Sequence, residues 1–160
     1  MRKGEEESEI SHLQVRRLQA PLVSSLIKEF AKELGTDKAY EITQRVINKD
    51  AILSGESLAR EYSGNSLKIM MKIVQEVWAK DSALTIEKIE LNETSLKFDV
   101  TKCGYAEMYK RLGFQELGHL MSCSRDFAFM DGFNPDIELR RSKTIMEGDA
   151  ICNFCYVLKK

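Results

Sequence analysis

The sequence predicts an α+β fold: N-terminal helices packed with a four-stranded antiparallel sheet of two hairpins, with a helical pair inserted between the hairpins. Three observations predict it. Apolar residues recur at helical spacing through residues 11–80. After Asp81 the spacing drops towards two, in two separate pairs of segments. Between those pairs, residues 105–130 return to helical spacing.

Taken in order, Ala20-Pro21-Leu22 puts a proline where a first helical turn tolerates one, so the first helix is predicted to begin there. Leu22, Leu26, Ile27, Phe30 and Leu34 continue it, and Gly35 ends it. Thr36 or Asp37 caps a second helix carrying Tyr40, Ile42, Val46 and Ile47, which runs to Tyr62 before the break Ser63-Gly64-Asn65. A third helix carries Leu67, Met70, Met71, Ile73, Val74, Val77 and Trp78. It is apolar around more than half its circumference, the pattern of a helix buried on two sides, and its methionines read as core.

ALTIEKIEL alternates imperfectly: Leu84 and Ile86 lie in one phase, Ile89 and Leu91 in the other, so a bulge is predicted near Glu87. Asn92-Glu93-Thr94 turns the chain into SLKFDVTKC, which alternates cleanly through Leu96, Phe98 and Val100. YAEMYKRLGF is a short helix closed by Gly113. ELGHLMSCSRDFAFM is a second, stopped by Asp131-Gly132 and Asn134-Pro135. DIELRRSKTI and DAICNFCYVLK form the last strand pair around Met146-Glu147-Gly148.

A length of 160 residues fits a single domain over 1–160, with 1–10 flexible, 11–80 a helical half and 81–160 a sheet-containing half. The net charge of −1 supplies no basic field to recruit nucleic acid or an anionic membrane. The polar start MRKGEEESE has no apolar segment behind it, and no apolar run approaches the ~20 residues that span a bilayer. A cytoplasmic location is therefore expected, with the four cysteines present as thiols.

Cys152 and Cys155 form a Cys-x-x-Cys, a spacing used by zinc sites and redox couples. Here they fall inside a strand pattern, and side chains three apart on a strand point to opposite faces. Cys152 shares its face with Ala150, Phe154, Tyr156 and Leu158; Cys155 sides with Ile151, Asn153 and Val157. Neither a metal site nor a disulfide couple is expected. Glu116, His119, Cys123 and Asp126, spaced three, four and three apart, fall on one helical face. That face is either solvated or lines a pocket in which a thiol has an imidazole and a carboxylate within reach.

From Phe98 onward the chain carries FDVTKCGYAEMYKRLG, ELGHLMSCSRDFAFMDGFNP and RSKTIMEGDAICNF. These hold Cys103 and Tyr105, then Cys123 and Asp126, then Asn134-Pro135, then Gly148, Asp149, Cys152 and Phe154. In this order they resemble the L-2-amino-thiazoline-4-carboxylic acid hydrolase family. Cys155 and His119 fall outside the pattern. The resemblance implies a hydrolase that adds water to a cyclic isothiourea-like carbon and opens the ring to a carbamoyl-cysteine. A carboxylate, Asp126 or Asp149, would hold the protonated ring nitrogen. A thiolate, Cys123 first and then Cys103 or Cys152, would attack the ring carbon, unless water attacks directly with a carboxylate as base. Tyr105, His119, Arg140 and Phe154 are candidate substrate contacts, and Arg125, Arg140 or Arg141 would meet the substrate carboxylate. No metal or other cofactor is implied, and the partner is a small molecule.

A competing reading makes the same residues the lining of a non-catalytic binding cavity. The arrangement of helices around a small sheet is similar to small-molecule-sensing domains and to vesicle-tethering adaptor subunits. A third reading is a homodimerising domain with the broad apolar third helix as its seam.

Overall fold

A computed structural model of the chain describes residues 10–159. The start MRKGEEESE, expected to be flexible, lies outside the described residues.

Helix α1 spans His12–Leu34 and begins earlier than the proline indicates. Ser11 and Gln14 form a reciprocal capping box: the Ser11 hydroxyl accepts from the Gln14 N–H at 3.4 Å, and the Gln14 side chain accepts from the Ser11 N–H at 2.9 Å. Pro21 therefore sits inside the helix, a position that costs about 3 kcal/mol. The cap and the burial of Ala20, Ser24 and Ile27 offset it. Gly35 joins α1 directly to α2, Thr36–Glu61. Ser66 caps α3, Leu67–Ile73, which continues as a π-helical turn, Val74–Trp78.

Strands β1 (Leu84–Leu91) and β2 (Ser95–Cys103) form the first hairpin. The bulge expected near Glu87 lies between the pairs Glu87–Asp99 and Glu90–Lys97, where Lys88 takes φ 53°. Helices α4 (Gly104–Arg111) and α5 (Gln115–Gly118) lead to a second π-helical turn, His119–Cys123, and then to α6, Arg125–Phe133. Strands β3 (Ile137–Arg140) and β4 (Cys152–Leu158) complete an antiparallel sheet in the order β1-β2-β4-β3. The α+β class and the four antiparallel strands agree with the sequence. The second hairpin has shorter strands than expected, because residues 141–151 form a long connection with a 3-10 turn at Ile145–Glu147.

One face of the sheet, carrying Leu96, Phe98, Val100, Leu139 and Tyr156, packs against α3 and α6. The α3 methionines Met70 and Met71 are buried in this core, so the third helix offers no apolar seam to a partner. Helix α6 runs through Gly132, where the sequence predicts a stop. A Cβ there would lie 2.0 Å from the Ile52 carbonyl oxygen, and one at Gly55 would lie 2.3 Å from that of Phe129. The two glycines let the backbones of α2 and α6 touch. This contact outweighs the roughly 1 kcal/mol helix penalty of a glycine and fixes α6 over the sheet. The start of α6, with Arg125 and Asp126, is thereby held at the candidate site.

Candidate functional site

A cavity of about 420 Å³ lies between the helices and one end of the sheet. The start of α1, the middle of α2, both π-helical turns, the start of α6 and the inner ends of β2 and β4 wall it. A π turn holds one more residue than an α turn and re-aims the side chains around it. The first closes with the Ala79 N–H donating to the Val74 carbonyl at 2.8 Å, the second with Ser124 donating to His119 at 2.9 Å. Val77 and Trp78 of the first, and Ser122 and Cys123 of the second, reach the cavity.

The second π turn also splits the expected polar row. Cys123 and Asp126 face the cavity, whereas His119 points outward, 3.5 Å from Glu147, and Glu116 pairs with Lys28 at 2.8 Å on the surface. Straight α-helical spacing puts all four on one face; the extra residue rotates the first two away.

Cys103, Cys123, Cys152, Asp126, Tyr105 and Phe154 all line this one cavity. Arg140, Asp149 and His119 do not. Arg140 ends β3 on the outer face of the sheet and pairs with Glu138 at 2.8 Å. The next residue, Arg141, points the other way and enters the site. One Arg141 Nη donates to Asp126 and the other to the Cys123 carbonyl at 2.9 Å. Its guanidinium lies over the rings of Phe154 (4.9 Å) and Phe127 (5.2 Å). Asp149 shapes the loop instead. Its carboxylate accepts from the Thr144 N–H at 2.8 Å, and Gly148 takes φ 103°. The Ile145 N–H in that loop donates to the Cys152 sulfur at 3.2 Å. Asn153 secures the residues that follow Arg141, accepting from the N–H groups of Ser142 and Lys143 at 3.1 and 2.8 Å. Cys155 sits on the opposite face of the sheet beside Arg140, apart from Cys152.

At the other end of the cavity, the Tyr105 hydroxyl donates to the Trp78 carbonyl at 3.0 Å. With that proton used, the 2.8 Å contact from His12 requires its Nδ1 to donate to Tyr105. Nε2 is then bare and accepts from Arg16 at 3.4 Å. Burial, then Arg16 and Arg125, lowers the His12 pKa to about 4, so the ring is neutral at pH 7. The Arg125 side chain is only 9% exposed; one Nη pairs with Asp50 at 2.6 Å, and Nη1 has no hydrogen-bond partner. Three guanidinium groups (Arg16, Arg125, Arg141) thus face two carboxylates (Asp50, Asp126), leaving the lining one positive charge in excess. His12, Arg16 and Asp50 carry no sequence signal, since they come from two helices that meet only in the fold.

The electrostatics divide the titratable groups. Burial pushes the Asp126 carboxyl above the ordinary carboxylate range despite Arg141. Burial raises the Cys103 thiol to about 11, although the Ala106 N–H donates to it at 3.5 Å. It also raises Cys123, with Asp126 adding to the effect, and Cys152. These thiols are protonated at neutral pH. Among the described residues, no group of three or more His, Cys, Asp or Glu side chains is placed to hold a metal ion.

The sequence profile of the L-2-amino-thiazoline-4-carboxylic acid hydrolases matches residues 15–156. The chain belongs to that family. Hydrolase is therefore the family's name for it, and the motif residues Cys103, Tyr105, Cys123, Asp126, Cys152 and Phe154 are those gathered at the cavity. Comparison with curated proteins gives no match. Among solved structures, this hydrolase-family chain shares its fold with the phenol-responsive sensory domain of the transcription activator PoxR, solved with phenol. The TM-score is 0.54 at 13% identity, over 86% of this chain and 73% of that one. It is likewise similar to a trafficking protein particle complex subunit 3 from Naegleria fowleri, covalently bound to palmitic acid. There the TM-score is 0.55 at 10% identity, over 91% and 96% of the two chains. No helix among the described residues is long and apolar enough to cross a membrane.

Proposed function

We propose that the cavity opens a small cyclic amidine- or isothiourea-type ring, such as 2-amino-thiazoline-4-carboxylate, by adding water to the carbon between nitrogen and sulfur. The observation that carries this reading is Asp126: a carboxyl at the cavity wall, raised in pKa by burial and steadied by Arg141. A carboxyl tuned upward exchanges protons near neutral pH better than an ordinary one. Asp126 gives a proton to the ring nitrogen and makes the adjacent carbon electrophilic. Water attacks that carbon and returns a proton to Asp126. As the carbonyl forms, the carbon–sulfur bond breaks and the second water hydrogen passes to sulfur, leaving a carbamoyl-cysteine. Direct attack by water is favoured over a cysteine nucleophile because the cavity thiols are all held protonated. The substrate carboxylate is met by Arg125 Nη1 and Arg16, where the lining carries its surplus positive charge.

Incubating the purified protein with the thiazoline acid and following carbamoyl-cysteine by mass spectrometry tests the reading. Wild type forms product, Asp126→Asn loses at least about 100-fold in kcat, and Cys123→Ser keeps most of its activity. Product formation unchanged by Asp126→Asn refutes the proton-transfer role.

A second reading, a non-catalytic small-molecule binder, is favoured by the apolar wall of Val77, Trp78, Leu84, Val100 and Phe129 and by the fold shared with a phenol-responsive domain. Under it, wild type binds a small aromatic probe such as phenol by calorimetry and forms no product from the thiazoline acid.

A further inference from the structure

The cavity uses one side of α1. Outside the cavity, a row of side chains four apart winds along the same helix: Leu18, Leu22, Leu26, Phe30 and Leu34, which are 73, 69, 47, 51 and 51% exposed. On α2, packed alongside, Val46 and Leu53 are 60 and 63% exposed. Single exposed apolar residues need no explanation, but an unbroken row of five on one helix does. Weighted by exposure, the five α1 side chains present roughly 450 Å² of apolar surface, within the ~300–600 Å² of a typical monomer's largest and often functional patch.

We propose that this surface is the seam of a homodimer in which α1 pairs antiparallel with α1 of a second copy, about a two-fold axis at Leu26. The spacing is the argument. Residues four apart form one ridge of a helix, and ridges of this kind on two helices interlock at about −50°. The α1 ridge is symmetric about its middle: with the two-fold in the groove beside Leu26, each copy's ridge seats next to the other's, Leu26 beside Leu26, Leu22 towards Phe30, and Leu18 towards Leu34 at the rim. An isologous interface needs such self-complementarity. The adjoining row holds Arg17 at one end and Glu33 at the other. Antiparallel pairing brings each Arg17 towards the opposite copy's Glu33 end; parallel pairing would bring like charges together. Since α1 also supplies His12 and Arg16 to the cavity, pairing braces one wall of the site.

The test is sedimentation equilibrium of the full chain. Wild type is expected at twice the 18.3 kDa chain mass at micromolar concentration. The double substitution Leu22→Glu, Leu26→Glu, on exposed positions, should raise the dimer dissociation constant by about 100-fold or more with an unchanged circular dichroism spectrum. With helix axes ~8–10 Å apart and Cα radii of ~2.3 Å, directly facing Cα atoms are about 3.4–5.4 Å apart, so the two Leu26 Cα atoms, side by side across the axis, reach disulfide range. Leu26→Cys should therefore cross-link to a covalent dimer under mild oxidation, and Leu18→Cys should not. A wild type that stays monomeric at 100-fold higher concentration overturns the proposal. So does a dimer indifferent to the two glutamates, or a monomer that instead binds neutral phosphatidylcholine vesicles through this face. None of these outcomes depends on whether the protein opens the thiazoline ring.

Discussion

Replacing Arg141 with methionine removes the most heavily engaged side chain of the site while keeping its length. The Arg141 side chain is 2% exposed and makes charge-assisted bonds to Asp126 and to the Cys123 carbonyl, besides lying over two aromatic rings. Breaking a buried ion pair from one side costs ~3–5 kcal/mol where the remaining charge is stranded; Asp126, already raised in pKa, relieves part of that by taking up a proton. Methionine keeps part of the packing against Phe127 and Phe154, so about 2–3 kcal/mol should be lost. Asp126→Asn strands the arginine instead, and should cost about 2–4 kcal/mol. The pair removed together should cost less than the sum, leaving a coupling of about 1–3 kcal/mol in a double-mutant cycle. Urea denaturation with a constant m-value measures each term. The pH dependence supplies an internal check. The folded pKa of Asp126 lies above its unfolded value, so the folded state favours the protonated form. The contribution is full below the ordinary carboxylate pKa of about 3.9 and is lost as pH rises through the raised folded value. The stability difference between wild type and Asp126→Asn should therefore move against wild type as pH rises over that window. A cost below about 1 kcal/mol for Arg141→Met, or no coupling with Asp126→Asn, refutes the pairing as the organiser of this wall.

Two further outcomes follow from the same geometry. Gly132→Ala places a methyl 2.0 Å from the Ile52 carbonyl oxygen, so α2 and α6 must separate; the expected loss is about 3 kcal/mol or more, read as a fall in Tm of roughly 6–12 °C. The His12 imidazole should titrate by NMR with a midpoint near 4, and because its folded pKa is depressed below the unfolded value, its contribution to stability is present above about pH 6.5 and is lost as pH falls towards 4. A His12 midpoint at the ordinary value means that the Tyr105–His12–Arg16 chain does not form.

The strands were legible because alternation reports a sheet with one buried face: Leu96, Phe98 and Val100 could point only to the core. The slip between Leu84-Ile86 and Ile89-Leu91 likewise located the bulge. Strand geometry also separated Cys152 from Cys155. Helix boundaries were less legible. The capping box at Ser11 competes with Pro21 for the start of α1, and the box, which satisfies two backbone donors, wins. Gly132 reads as a stop, yet its lack of a side chain serves contact with a helix that lies far away in sequence. Apolar spacing marked α1 as a helix but could not say which face it buries; Ile27 goes in while Leu22, Leu26 and Phe30 stay out. In the site, motif resemblance picked out the thiols, Asp126, Tyr105 and Phe154. The choice of Arg141 over Arg140 depended on where β3 ends, and Arg16, His12 and Asp50 depended on the α1–α2 pairing.

The widened turns at Val74–Trp78 and His119–Cys123 bear on how this chain is compared with its kin. The second amounts to a single residue added within a helical run, with α5 before it and α6 after it. A relative that lacks the extra residue would keep the same helices and lose the register between them, so that its counterpart of Asp126 would be found one column away. Pairing such sequences without a gap inside the helix would match a cavity carboxylate to a surface residue, and the site would look unshared when it had only been displaced.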